Sequence, residues 1–81
     1  ARDPTASIQR NDAAQARTRV AQGEYLPLES ILADARERFP GRLLEVELDD
    51  DEYEVEILMP DGTKVELEYD ARTGRLLEVE Y

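Results

Sequence analysis

The chain has no cysteine, no histidine and no tryptophan. Without cysteine, no disulfide can staple a small domain and no thiolate nucleophile exists. Without cysteine and histidine, the usual ligands of transition-metal sites are missing. Positive charge is scarce: ten Lys and Arg stand against twenty Asp and Glu, for a net charge of −10 and a pI near 4.3. This excludes the basic surface that displaces counterions from nucleic acid, and it disfavours anionic membrane surfaces equally. It suits a cationic partner, a divalent cation or plain solubility. No apolar run approaches the roughly 20 residues of a membrane-spanning helix. Ala1-Arg2-Asp3-Pro4 opens without the apolar stretch of a signal peptide. At 81 residues the chain is one domain, and a domain this small buries only about 60% of its unfolded surface. Its stability must come from one compact core, aided by any self-association.

Residues 1–10 are polar and aperiodic, and we expect a mobile arm there ahead of a single domain over 11–81. Asn11 or Asp12 can cap a helix over about 12–22, with Gly23 as its stop. Its apolar stripe is thin, Ala13, Ala16 and Val20, so it should dock loosely. Pro27 suits the first position of a second helix over about 28–39. There Leu28, Ile31, Leu32, Ala35 and Phe39 fall at i, i+3, i+4, i+7 and i+11, one continuous amphipathic stripe. Pro40-Gly41 ends it.

The remainder alternates with period two. Leu44, Val46 and Leu48 alternate with Glu45 and Glu47. Tyr53, Val55, Ile57 and Met59 alternate with Glu54, Glu56 and Leu58. Val65, Leu67 and Tyr69 alternate with Glu66 and Glu68, and Leu77, Val79 and Tyr81 with Glu78 and Glu80. Four such strands, at about 42–49, 52–59, 64–70 and 75–81, with short turn-forming connections, predict an antiparallel meander. The fold class is therefore α+β: an amphipathic helix on one face of a four-stranded antiparallel sheet, preceded by a short helix. One heptapeptide, Gly41-Arg42-Leu43-Leu44-Glu45-Val46-Glu47, recurs as Gly74-Arg75-Leu76-Leu77-Glu78-Val79-Glu80. We read this as shared strand grammar rather than a solenoid repeat, because the units that follow the two copies differ.

Catalysis finds no equipment here. Ser7 and Ser30 have no base at a meaningful spacing, and the carboxylates line open strands instead of a pocket that would raise their pKa. We expect no enzyme and no cofactor. Two acidic features remain. Asp49, Asp50, Asp51 and Glu52 make a hairpin tip that could offer oxygen ligands to calcium, although it lacks the spacing of an EF-hand loop. Glu45, Glu47, Glu54, Glu56, Glu66, Glu68, Glu78 and Glu80 should share the sheet face away from the helix. That face can dock a basic protein surface, or it can serve as a solvated face that discourages aggregation.

The C-terminal two-thirds resembles a known family. Tyr53-Glu54-Val55-Glu56-Ile57, then Asp61-Gly62-Thr63, then Val65 through Tyr69 leading into Asp70-Ala71-Arg72-Thr73-Gly74-Arg75-Leu76-Leu77, is similar to the PepSY domain. A helix precedes these strands in the same order, and the lead-in Gly23-Glu24-Tyr25-Leu26-Pro27-Leu28 is similar to that of stand-alone members. The resemblance implies a periplasmic or secreted bacterial protein without enzymatic activity, acting as an interaction or regulatory module on a peptidase or an envelope signalling protein. It supplies no family-wide set of functional residues, and the Asp70–Gly74 element reads best as a turn. The alternatives are a weak calcium- or cation-binding acidic protein and a structural homodimer.

Overall fold

The computed structural model of the chain describes residues 10–81, with side chains from Ala14 onward. The arm expected over 1–10 lies outside the described residues, save that Arg10 already opens the first helix. The elements follow in the order α1 (Arg10–Ala21), α2 (Leu28–Arg38), β1 (Arg42–Asp49), β2 (Glu52–Leu58), β3 (Lys64–Asp70) and β4 (Leu76–Glu80). The four strands form one antiparallel sheet in the order β1-β2-β3-β4, the expected meander.

Helix α1 ends where its sequence says. Gly23 N–H donates to Val20 C=O and Glu24 N–H to Arg19 C=O, the paired bonds of a Schellman motif. An Arg19–Glu24 ion pair at 2.7 Å spans the two positions that more often share an apolar contact. The thin stripe buries Ala16 and half-buries Val20, and α1 lies against β1. Pro27 sits at the N-cap of α2 instead of its first helical position; its extended ψ of 137° turns the chain into the helix. The α2 stripe packs as expected. Ile31, Leu32 and Ala35 are buried, and Leu28 and Phe39 flank the core.

Beneath the helices lie Val46, Tyr53, Val55, Ile57, Val65, Leu67 and Tyr69, all buried. Fully burying one such side chain contributes on the order of 1.5–3 kcal/mol, and they carry most of what holds this small domain together. The central pairing sets like against like: Tyr53 faces Tyr69, Val55 faces Leu67 and Ile57 faces Val65. The two tyrosines differ at their tips. Tyr69 Oη donates to Asp34 Oδ2 at 2.6 Å. The Tyr53 hydroxyl is buried and has no partner among the described residues.

The alternation expected for the two outer strands is corrected. Leu43 pairs with Ile57 and Glu45 with Glu56, so the register slips between them and Leu44 is the extra residue of a β-bulge. Likewise Tyr69 pairs with Leu76 and Glu68 with Glu78, which leaves Leu77 over. The core-packed residues are therefore Leu43 and Leu76, not Leu44 and Leu77. Both bulges fall at the Leu-Leu doublet of the repeated heptapeptide. The repeat thus encodes one device used twice: a bulged start to each edge strand. Tyr81, expected to point inward from β4, is 84% exposed, and its ring meets Phe39 edge-on at 6.4 Å.

The glycines that open the two copies are needed for different reasons. A Cβ on Gly41 would sit 2.5 Å from the Leu58 carbonyl oxygen, so the chain could not approach β2 so closely. Gly74 has φ +77°, and a Cβ there would lie 2.6 Å from Leu26 Cδ1.

Candidate functional site

The turn between β3 and β4 accounts for the Asp70–Gly74 element residue by residue. Asp70 Oδ1 accepts the backbone N–H groups of Arg72 and Thr73 at 2.8 and 3.2 Å. Such a bond from a carboxylate to nearby amides is the Asx turn that makes Asp a turn residue. Ala71 is buried and pins three segments together. Its N–H donates to Asp51 C=O, and its C=O accepts from Leu26 N–H, both at 2.8 Å. Thr73 Oγ1 accepts from Arg75 N–H, and Gly74 N–H returns to Asp70 C=O. Each named group is used within the turn or in tying it to the neighbouring segments.

The acidic tip is drawn into the same junction. The β1–β2 turn has Asp50 at φ +54°, a left-handed conformation that Asp tolerates better than most residues. Asp51 Oδ1 accepts from the Tyr25 hydroxyl at 2.5 Å, and its Oδ2 from Arg72 Nη2 at 3.1 Å. The Tyr25 hydroxyl also reaches Asp50 C=O at 3.2 Å. Burial, with Asp51 as neighbour, pushes the Tyr25 hydroxyl up to about 12, while the bond from Tyr25 holds the Asp51 carboxyl below its usual range. Asp51 thus ties the tip to the lead-in of α2 through one carboxylate oxygen and to the β3–β4 turn through the other. Asp49 and Glu52 pair across the strand ends and extend the acidic sheet face. Tyr25, named in the sequence only as part of the family lead-in, is the tie that periodicity missed. A lone aromatic before a proline gives no periodic signal, and its only cue is its place in the family lead-in.

The eight glutamates fall into register. Glu45, Glu56, Glu66 and Glu80 form one row across all four strands, and Glu47, Glu54, Glu68 and Glu78 form the next. Asp49, Glu52 and Asp70 add an acidic row at the tip end. Arg42, Leu58 and Lys64 close the other end. Lys64 Nζ lies 3.9 Å from Glu56, a loose and exposed pair. Both helices pack on the opposite face, and no described element covers this one.

Adjacent carboxylates in such rows are direct cross-strand neighbours, and like charges so placed are destabilising. Two of them are pushed toward the protonated form. A hydrogen bond with Glu66, then burial and the charges of Glu66, Glu47 and Asp49, push Glu54 up to about 7. A hydrogen bond with Glu78, then desolvation and the neighbouring glutamates, push Glu68 up to about 7. Carboxylate oxygens of Glu54, Glu66 and Glu68 approach within 4.8 Å of one another. Beside them Glu45, Glu47, Glu54, Glu56 and Glu66 line an open depression of about 30 Å³, room for roughly one water molecule. Chemically this is an array of hard oxygen acceptors on a shallow surface. It suits ammonium or guanidinium groups and hard cations, and it offers no enclosure for a reaction.

Compared with known families, residues 25–80 match the model described as "PepSY: Peptidase propeptide and YPEB domain". The chain belongs to the PepSY family, as the strand and turn residues led us to expect. Domains of this family are associated with peptidase propeptides and with regulatory extracytoplasmic modules, and they are generally not catalytic. No described helix is long and apolar enough to cross a membrane. No curated protein and no solved structure matches the chain.

Proposed function

We propose that the chain is a non-catalytic extracytoplasmic interaction module whose glutamate face docks on a basic protein surface, that of a peptidase or an envelope signalling protein. The single observation that carries this reading is the in-register array of eight glutamates on an uncovered sheet face. A face kept for solubility alone has no need of such concentration. Like charges set opposite each other cost on the order of a few tenths of a kcal/mol per pair, a cost that a face of alternating charges would avoid. Family membership supports a protein partner of the peptidase or regulatory kind. A flat array of acceptors matches Lys and Arg side chains, and steering by its field falls with ionic strength.

The test is capture from a periplasmic or secreted-protein extract with the immobilised chain at low and high salt. A variant with Glu54, Glu56, Glu66 and Glu68 all changed to Gln is run alongside. A partner that binds the unaltered chain at low salt, leaves at high salt and ignores the variant supports the reading. Equal recovery by both forms counts against it. The competing reading, a weak cation binder, would use the Glu54, Glu66 and Glu68 oxygens. Titration calorimetry with calcium that gives heat, together with a higher melting temperature, would favour that reading instead.

A further inference from the structure

The glutamate rows run out at β4, and β4 is an edge strand with only β3 beside it. Among the described strands, β3 alone is hydrogen-bonded to it, which leaves its outer side without a strand partner. Three large hydrophobic residues are exposed among those described: Leu26, Leu77 and Tyr81. Two of the three bracket the regular part of β4, with Leu77 47% exposed at its bulged start and Tyr81 84% exposed beyond its end. Next to Tyr81 an apolar groove of about 520 Å³ opens between Phe39, Met59 and Val65. A bare sheet edge flanked by exposed apolar side chains is where an extended segment adds as a further strand.

The geometry points to β4 as the docking edge for an extended peptide segment in which basic and apolar residues alternate. This rests on the cationic-partner reading above and names the form that partner takes. Neighbours across a strand pair share a face. Residues set beside Glu78 and Glu80 would continue the two glutamate rows, and only Lys or Arg there meets the charge. Residues set beside Val79 and Tyr81 would lie on the helix side, where Val79 packs on the core and the groove beside Tyr81 takes an apolar side chain. A second copy of this chain is the wrong occupant. Pairing β4 with itself would place further glutamates beside Glu78 and Glu80, which like-charge repulsion opposes.

The probe is a capped eight-residue peptide alternating lysine and valine, with a fully N-methylated analogue of the same side chains. Each is titrated into isotope-labelled protein at low salt and followed by NMR shifts and amide exchange. The expected result is slowed exchange at Leu77 through Glu80. The N-methylated analogue, unable to donate backbone hydrogen bonds, should bind about tenfold more weakly or worse. The double variant Glu78→Gln with Glu80→Gln changes two exposed side chains and should keep its fold while binding the probe a few-fold more weakly. Equal binding of both peptides, with shifts spread over Glu54, Glu56, Glu66 and Glu68, overturns the edge inference and leaves the docking face standing. Binding of neither overturns both.

Discussion

The two faces of the sheet are made by the same strands with the same two-residue period, and they act on stability in opposite directions. On the helix side, Val55 faces Leu67 and Ile57 faces Val65, apolar against apolar and fully buried. On the other side, one residue along, Glu54 faces Glu68 and Glu56 faces Glu66. The first arrangement is what a core requires. The second works against folding, and it pushes the Glu54 and Glu68 carboxyls up toward their protonated forms. The difference teaches that the strand pattern meets two separate demands. One face holds the domain together, and the other carries its like charges at a cost to the fold.

The largest break in this comparison is expected from neighbouring residues on β3. Leu67→Ala empties part of the core and should destabilise by about 2–5 kcal/mol. Glu68→Ala, one residue on and facing out, should change stability by no more than about 0.5 kcal/mol, with the sign toward stabilisation because a cross-strand repulsion is lost. Urea denaturation of the two variants reads both numbers.

The tyrosine pair sharpens the comparison within the core. Tyr69→Phe removes the bond to Asp34, whose carboxyl that hydroxyl holds below its usual range, and should cost about 1–2 kcal/mol. Tyr53→Phe removes a buried hydroxyl with no described partner and should be neutral or slightly stabilising. A loss at Tyr53 equal to that at Tyr69 would show that the two hydroxyls are equally satisfied.

Acid titration separates the faces more gently. Glu54 and Glu68 rise from 4.5 to about 7 on folding. The folded chain therefore keeps protons that the unfolded chain releases between those values. The stability this contributes is present in full below about pH 4.5 and is lost as pH rises through 7. Asp34, Asp51 and Asp61 move the other way, below 3.8, and their contribution is lost as pH falls beneath that value. Melting temperature should therefore peak near pH 4–5 and be lower at pH 8. A Glu54→Gln, Glu68→Gln double variant should flatten the fall between pH 5 and 8.

Much of this was legible in the residues. The α2 stripe, the alternation of β2 and β3, and the turns at Asp61-Gly62 and Asp70–Gly74 each follow from local spacing and fell where that spacing placed them. The outer strands did not. A Leu-Leu doublet is neutral about which leucine turns inward, and only pairing against β2 and β3 selects Leu43 and Leu76. The eight glutamates could be assigned to one face from period two alone, but their alignment in rows depends on register, which no single strand contains. The ties from Tyr25 and Ala71 to Asp51 join segments distant in sequence, and no local pattern announces them.

The central claim is that the glutamate face is carried at a cost to the fold. Thermal unfolding of the variant with Glu54, Glu56, Glu66 and Glu68 all changed to Gln tests it most directly, at pH 7.5 and low salt. The variant should melt at a higher temperature than the unaltered chain, and the gap should narrow as salt screens the charges. A variant that melts lower would contradict the account, because the glutamates would then be holding the fold together.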